Sequence, residues 1–91
     1  MTNKKDLNFE TKVIHAGQKS DPTTGAVMTP IVLASTFEQS SPGVHKGYDY
    51  SRSINPTREA FENCIASLEN GVKGYGFSSG VAAISAGIEL L

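Results

Sequence analysis

Apolar and polar positions change rhythm once along this chain, at Asn55-Pro56-Thr57. Beyond that point Phe61, Cys64, Ile65 and Leu68 recur at i, i+3, i+4 and i+7, which predicts an amphipathic helix. Asn55 suits its N-cap and Pro56 its first helical position, where a missing N–H costs nothing. Asn70-Gly71 supplies the stop. Residues 72–77 (Val-Lys-Gly-Tyr-Gly-Phe) read as a short strand whose small residues would let helices cover it closely. Ser78-Ser79-Gly80 then opens a second helix, with Ile84, Ile88 and Leu91 on helical spacing and no Gly, Asn or Pro stop after them. A complete domain rarely ends on a bare apolar turn, so the expectation is an N-terminal fragment of something longer.

Ahead of Asn55 the pattern is weaker. Residues 1–12 are polar and expected to be disordered at the extreme end. Residues 11–17 suggest one helical turn closed by Gly17, and residues 18–25 a turn-rich loop. Residues 26–37 form an extended apolar stretch, but Pro30 cannot donate to a ladder, so an edge or a loosely paired arm is predicted. Ser40-Ser41-Pro42-Gly43 reads as a loop, and His45 as a loop residue beside it. No convincing helix and no self-contained core is expected before residue 55. The predicted organisation is an arm over residues 1–54 and the start of an α/β domain over 55–91.

Composition narrows the function classes. The 91 residues carry a formal net charge of −1 with 38% hydrophobic and 19% charged residues, leaving no electrostatic footprint for nucleic acid or an anionic membrane. One cysteine excludes an intrachain disulfide and fits a reducing cytoplasm. The start has no apolar h-region, and no later stretch could span a bilayer, so a soluble cytoplasmic chain is expected. His15 has no second ligand at metal spacing, and no metal is expected. Cys64, on the apolar face of the first predicted helix, reads as a small buried hydrophobe.

Two features point to an anion. Tyr50 and Arg52 stand two apart on a strand-like stretch, so they would point to one side, a phenol and a planar fork of donors converging on phosphate or carboxylate. The strand, Ser-Ser-Gly turn and helix start around Ser79 would aim free N–H groups and a helix dipole at one point. No G-x-G-x-x-G and no Gly-Lys-Ser/Thr is present there. Each feature also has a plain structural reading, as a strand-edge pair and as a cap beside a close-packing glycine.

The two together resemble a known pattern. Gly47-Tyr48-Asp49-Tyr50-Ser51-Arg52-Ser53-Ile54-Asn55-Pro56-Thr57-Arg58, then Phe77-Ser78-Ser79-Gly80-Val81-Ala82-Ala83, is similar to the cystathionine γ-synthase/γ-lyase family. Ile14-His15-Ala16-Gly17, Thr24-Gly25-Ala26-Val27 and Pro30-Ile31 match the family's opening, so the likeness runs from about Phe9 to the last residue.

The resemblance implies a pyridoxal-phosphate (PLP) enzyme of cysteine and methionine metabolism. It implies the fold-type I, aminotransferase-like architecture and a homotetramer of tight dimers, with an N-terminal arm crossing to the neighbouring subunit. Tyr50 and Arg52 would grip the phosphate of the neighbour's PLP, and the N–H groups of Gly80 and Val81 that of their own subunit. Val81 departs from the family's usual Met or Leu, which a backbone contact tolerates. Asp49 and Ser53 would shape the loop. The Schiff-base lysine, the partner of the pyridine nitrogen, the ring-stacking tyrosine and the arginine for the substrate carboxylate would lie beyond Leu91, so no catalytic residue is expected in this stretch. Cleavage of C–S bonds in cystathionine-like amino acids follows, with a γ-lyase first because of the run from His45 to Arg58. A γ-synthase, a methionine γ-lyase and a β-lyase come after it. Outside the class stand a small anion-binding module and a non-catalytic assembly arm.

Overall fold

The computed structural model describes residues 7–91. Three helices and one small hairpin succeed one another: α1 Phe9–His15, β1 Gln39–Ser41, β2 Val44–His45, α2 Pro56–Leu68 and α3 Gly80–Glu89.

The first helix exceeds its sequence signal. It begins at Phe9 rather than at residue 11, and Asn8 sits at its N-cap with its carbonyl accepting from Lys12 N–H at 2.9 Å. The expectation of no convincing helix before residue 55 is thereby corrected. The extreme N-terminus lies outside the described residues. Seven residues are too few for a stable isolated helix. Tertiary contact compensates: α1 packs on α2, and Ala16 just after it is 1% exposed. Gly17, at φ +76°, closes the turn, and a Cβ there would stand 2.5 Å from the Ala60 carbonyl oxygen. A side chain is excluded at that point on both counts.

The loop expected over residues 18–25 is one, built on Asp21, whose Oδ1 accepts from Thr23 and Thr24 N–H at 2.7 and 2.9 Å. Residues 26–37 form no named strand: their one ladder pairing is an isolated antiparallel bridge between Thr36 and Tyr50, and side chains of Ser51, Asn55 and Thr57 hold much of the rest. Residues 40–43 are more ordered than expected. They are the turn and flank of a hairpin, and His45 belongs to β2, paired with Gln39, with its Nδ1 accepting from Gly47 N–H at 3.0 Å.

Helix α2 follows its local signals closely. Asn55 caps it, its side chain accepting from Thr57 N–H at 2.9 Å with Pro56 at the first position. At the other end Asn70 takes the left-handed conformation at φ 55°. Gly71 N–H then reaches the Ala66 carbonyl at 2.7 Å and Asn70 N–H the Ser67 carbonyl at 3.3 Å, the paired bonds of a Schellman stop. Residues 72–77 are extended but form no strand, which corrects the expected one: no second strand lies beside them among the described residues, and a strand exists only through a ladder.

The described residues spread as a flat body of 42 × 40 × 19 Å. The radius of gyration is 15.2 Å, whereas a compact chain of this length would have one near ~12 Å. Only Ala16 is buried among them. The apolar faces the sequence marks are present on α2 and α3, yet Phe61 is 61% and Ile84 65% exposed, so much of both faces finds no cover within the described residues. Cys64 is half-buried, its thiol 3.8 Å from the Lys12 carbonyl oxygen. Among the described residues no helix is long and apolar enough to cross a membrane.

Candidate functional site

The segment from Tyr48 to Arg58 is held on three sides. Phe37 N–H donates to the Asp49 carbonyl at 3.1 Å and Ser51 N–H to the Ser35 carbonyl at 2.8 Å, flanking the Thr36–Tyr50 bridge. The Ser51 hydroxyl donates to the Ala34 carbonyl. Asn55 does more than cap: its Nδ2 donates to the Val32 carbonyl at 3.1 Å and to Ser51 Oγ at 3.0 Å. Tyr48 donates its phenol to Glu59 on α2 at 3.0 Å and lies 5.7 Å from the ring of Phe37. Burial, then the neighbouring Glu59 carboxylate, push that phenol's pKa above its ordinary value.

Tyr50 and Arg52 do come together, by a different route from the strand alternation expected. The extended stretch ends at Tyr50, and Ser53 and Ile54 N–H both donate to the Tyr50 carbonyl, at 3.0 and 3.1 Å, folding the chain into a turn. That turn brings the Arg52 guanidinium carbon 5.4 Å from the centroid of the Tyr50 ring, within cation–π range. Arg52 is exposed and Tyr50 is 39% exposed. Among the described residues the phenol of Tyr50 and the guanidinium of Arg52 make no hydrogen bond and no ion pair. The rest of the motif is engaged in architecture: Ser51 on the arm, Asn55 and Thr57 at the helix start, Arg58 beneath the turn. Two donors are left over, and they sit side by side.

The second anion feature also forms. Ser79 caps α3, its hydroxyl accepting from Ala82 N–H at 3.1 Å, and its carbonyl accepts from Ala83 N–H at 3.2 Å. Gly80 and Val81 occupy the first two positions, and neither N–H is bonded among the described residues. A Cβ built on Gly80 would meet nothing within 4 Å, so no described residue packs against that position. No hydrogen bond, ion pair or ring contact joins Tyr50 or Arg52 to Gly80 or Val81 among the described residues.

Sequence reasoning passed over two residues that shape this site, Arg58 and Glu62. Arg58 Nη2 donates to the Ser53 carbonyl at 2.8 Å, and Nη1 to those of Ser51 and Arg52 at 3.3 and 3.4 Å. Glu62 Oε2 accepts from Gly76 N–H at 2.6 Å. Their i, i+4 spacing was the available signal, but it marks an ordinary surface pair equally well.

Residues 10–91 match the family described as Cys/Met metabolism PLP-dependent enzyme. The chain belongs to this family. It is 62% identical over 89 residues to the cystathionine beta-lyase of Coxiella burnetii, covering 98% of this chain and 23% of that protein. It is 53% identical over 92 residues to the cystathionine gamma-lyase of Dictyostelium discoideum, covering 100% of this chain and 24% of the other. The fold matches the crystal structure of cystathionine gamma-lyase from Lactobacillus plantarum complexed with L-serine, with a TM-score of 0.84 and 49% identity over 93% of this chain and 22% of that one. The chain thus spans about a quarter of the length of these relatives.

The family's cofactor carries a phosphate, and the donor set can be tested against it. A guanidinium, a phenol and two open N–H groups at a helix start are all donors, none engaged elsewhere among the described residues. They fit a phosphate dianion.

Proposed function

We propose that this chain is the N-terminal portion of a PLP-dependent lyase that cleaves C–S bonds in cystathionine-like amino acids. Membership of the Cys/Met metabolism family supports the class, and lyases of both the γ and β kinds stand among its relatives. The observation that carries the site is the adjacency of Tyr50 and Arg52 with their polar ends unengaged. In this reading both grip the phosphate of the cofactor in the neighbouring subunit. The N–H groups of Gly80 and Val81 hold the phosphate of the chain's own subunit. That no contact joins the two donor groups fits their serving different sites. When bound, PLP would supply the electron sink for the substrate carbon that carries the amino group, while these residues would bind and orient the cofactor. No catalytic role is assigned to any of the lysines here.

The wider architecture belongs to the same proposal: fold-type I, residues 1–54 an arm crossing to the neighbour, residues 55–91 the start of the large domain, four subunits as two tight dimers, and a cytoplasmic setting. The flat shape and exposed apolar faces of α2 and α3 support an arm and a half-built domain that other parts of the assembly complete.

Our first reading is a γ-lyase, on the run from His45 to Arg58. The 62% identity to a β-lyase favours β-side cleavage as the second. Incubating the full-length protein with L-cystathionine decides between them: cysteine, 2-oxobutanoate and ammonia mark the γ side, homocysteine, pyruvate and ammonia the β side. For the site, Arg52→Ala should weaken PLP retention on dialysis by about tenfold or more, since a bond to a charged group contributes ~1.5–3 kcal/mol. Lysine there should rescue only in part, offering a point charge without the fork. Unchanged retention in Arg52→Ala removes the anion role.

A further inference from the structure

Both phosphate-facing groups hang from one helix. Arg58, in the first turn of α2, donates to the carbonyls of Ser51, Arg52 and Ser53, three successive residues of the turn that presents Arg52. Glu62 stands one helical turn further on, and its Oε2 accepts from Gly76 N–H at 2.6 Å, in the segment that runs into Ser79 and α3. That segment is seated closely: a Cβ on Gly74 would overlap the Glu62 carbonyl oxygen, and one on Gly76 would touch Arg58 Cγ and Cδ at 3.6 Å. Arg58 Nε is buried without a hydrogen-bond partner and lies 3.6 Å from the same Glu62 oxygen that holds Gly76.

We infer that Arg58 and Glu62 are positioning residues: the pair fixes the Arg52 turn and the approach to the Gly80–Val81 N–H groups on a single mount. The three backbone carbonyls converging on Arg58 matter because an isolated turn of exposed residues would leave Arg52 free to swing. A guanidinium serves the three carbonyls from two nitrogens of one fixed fork, whereas lysine offers its donors from a single freely turning nitrogen. Glu62 gives the mount its second arm, because one carboxylate oxygen faces both the Arg58 Nε and the Gly76 N–H. If Arg52 reaches the neighbour's phosphate while Gly80 and Val81 hold their own, the pair also ties two cofactor sites together mechanically.

The inference rests on the phosphate roles proposed above, and the test separates the two. In the full-length protein, PLP dissociation constants are measured by equilibrium dialysis for Arg58→Ala, Arg58→Lys and Glu62→Ala, each with Arg52 present and with Arg52→Ala. Melting of the cofactor-free forms is followed in parallel. With Arg52 present, Arg58→Ala should weaken PLP about tenfold and Arg58→Lys about threefold, as expected for losing oriented donors rather than charge. In the Arg52→Ala background the Arg58→Ala effect should shrink below about twofold, because a turn with no guanidinium to aim has nothing left to lose. Glu62→Ala should keep most of its effect there, since it acts through Gly76. Equal losses from Arg58→Ala in both backgrounds, or losses that only follow the melting of the cofactor-free form, overturn the inference. Should Arg58→Ala fail to fold, the Arg58→Lys pair of measurements decides in the same way. Normal binding by Arg52→Ala alone overturns the phosphate reading and this inference with it. Weak binding by Arg52→Ala beside normal binding by Arg58→Ala overturns the inference only.

Discussion

Thr57 holds Pro30 across 27 residues of chain: its hydroxyl donates to the Pro30 carbonyl at 2.8 Å. The same oxygen accepts from Val32 N–H at 2.8 Å, so one side chain satisfies the backbone on both sides of Ile31. This stretch has no ladder partner at these positions, and Thr57 with Asn55 stands in for one.

Thr57→Val keeps the shape and removes both bonds. Leaving the partly buried Val32 N–H unpaired should cost about 1–3 kcal/mol, while the exposed Pro30 carbonyl can turn to water. The check is the denaturant midpoint of the full-length protein, with limited proteolysis to locate the loosening in residues 26–37. Thr57→Ser should recover most of the loss. A Thr57→Val protein as stable and as resistant as wild type would show that the tether is incidental.

Gly17→Ala should destabilise by about 3 kcal/mol, combining a left-handed residue with overpacking against α2. The backbone there stands at φ +76°, and the new methyl would meet the Ala60 carbonyl oxygen at 2.5 Å and the Cys64 nitrogen at 2.8 Å. Gly25→Ala is the matched control: it shares φ +75° but has nothing within 4 Å, so it isolates the conformational part. Equal losses in the two variants would remove the packing term.

Tyr48 gives a pH dependence of definite sign. Its folded pKa lies above the ordinary phenol value of 10.0, first through burial and then through Glu59. A raised folded pKa favours the protonated phenol, so its stabilising contribution is complete below 10.0 and is lost as pH rises through the higher folded value. Phenolate absorbance should show one tyrosine titrating late, absent in Tyr48→Phe. Stability on the alkaline side should fall less steeply in Tyr48→Phe than in wild type. Identical alkaline slopes would contradict the assignment.

The shared-site reading has a two-fold consequence. One full-length variant carries Arg52→Ala and a second lacks the lysine that bonds the cofactor, each nearly inactive alone. Unfolded and refolded together, half the dimers should be hybrids with one intact site of two, and activity should recover to about a quarter of wild type. A mixture that stays inactive, with hybrids confirmed by mass, would place Arg52 in its own chain's site.

What the sequence determined by itself is local. The Asn55 cap and Pro56, the Asn70-Gly71 stop and the Ser79 cap all stand where the residues put them, because a cap bonds groups within a few positions of itself. The motif that marks the family was equally legible, as was the adjacency of Tyr50 and Arg52. Only the tertiary structure decided how that adjacency arises, through a turn rather than a strand, because the turn is held by Arg58 from the following helix. It also decided that α1 is a full helix, since its support comes from α2, with Cys64 meeting Lys12 across 52 residues of chain. Residues 72–77 failed as a strand for the converse reason: strand identity belongs to a pair, and no partner lies beside them among the described residues. Periodicity marked the apolar faces of α2 and α3, but what covers a face depends on distant chain, and no rule of spacing reaches that far.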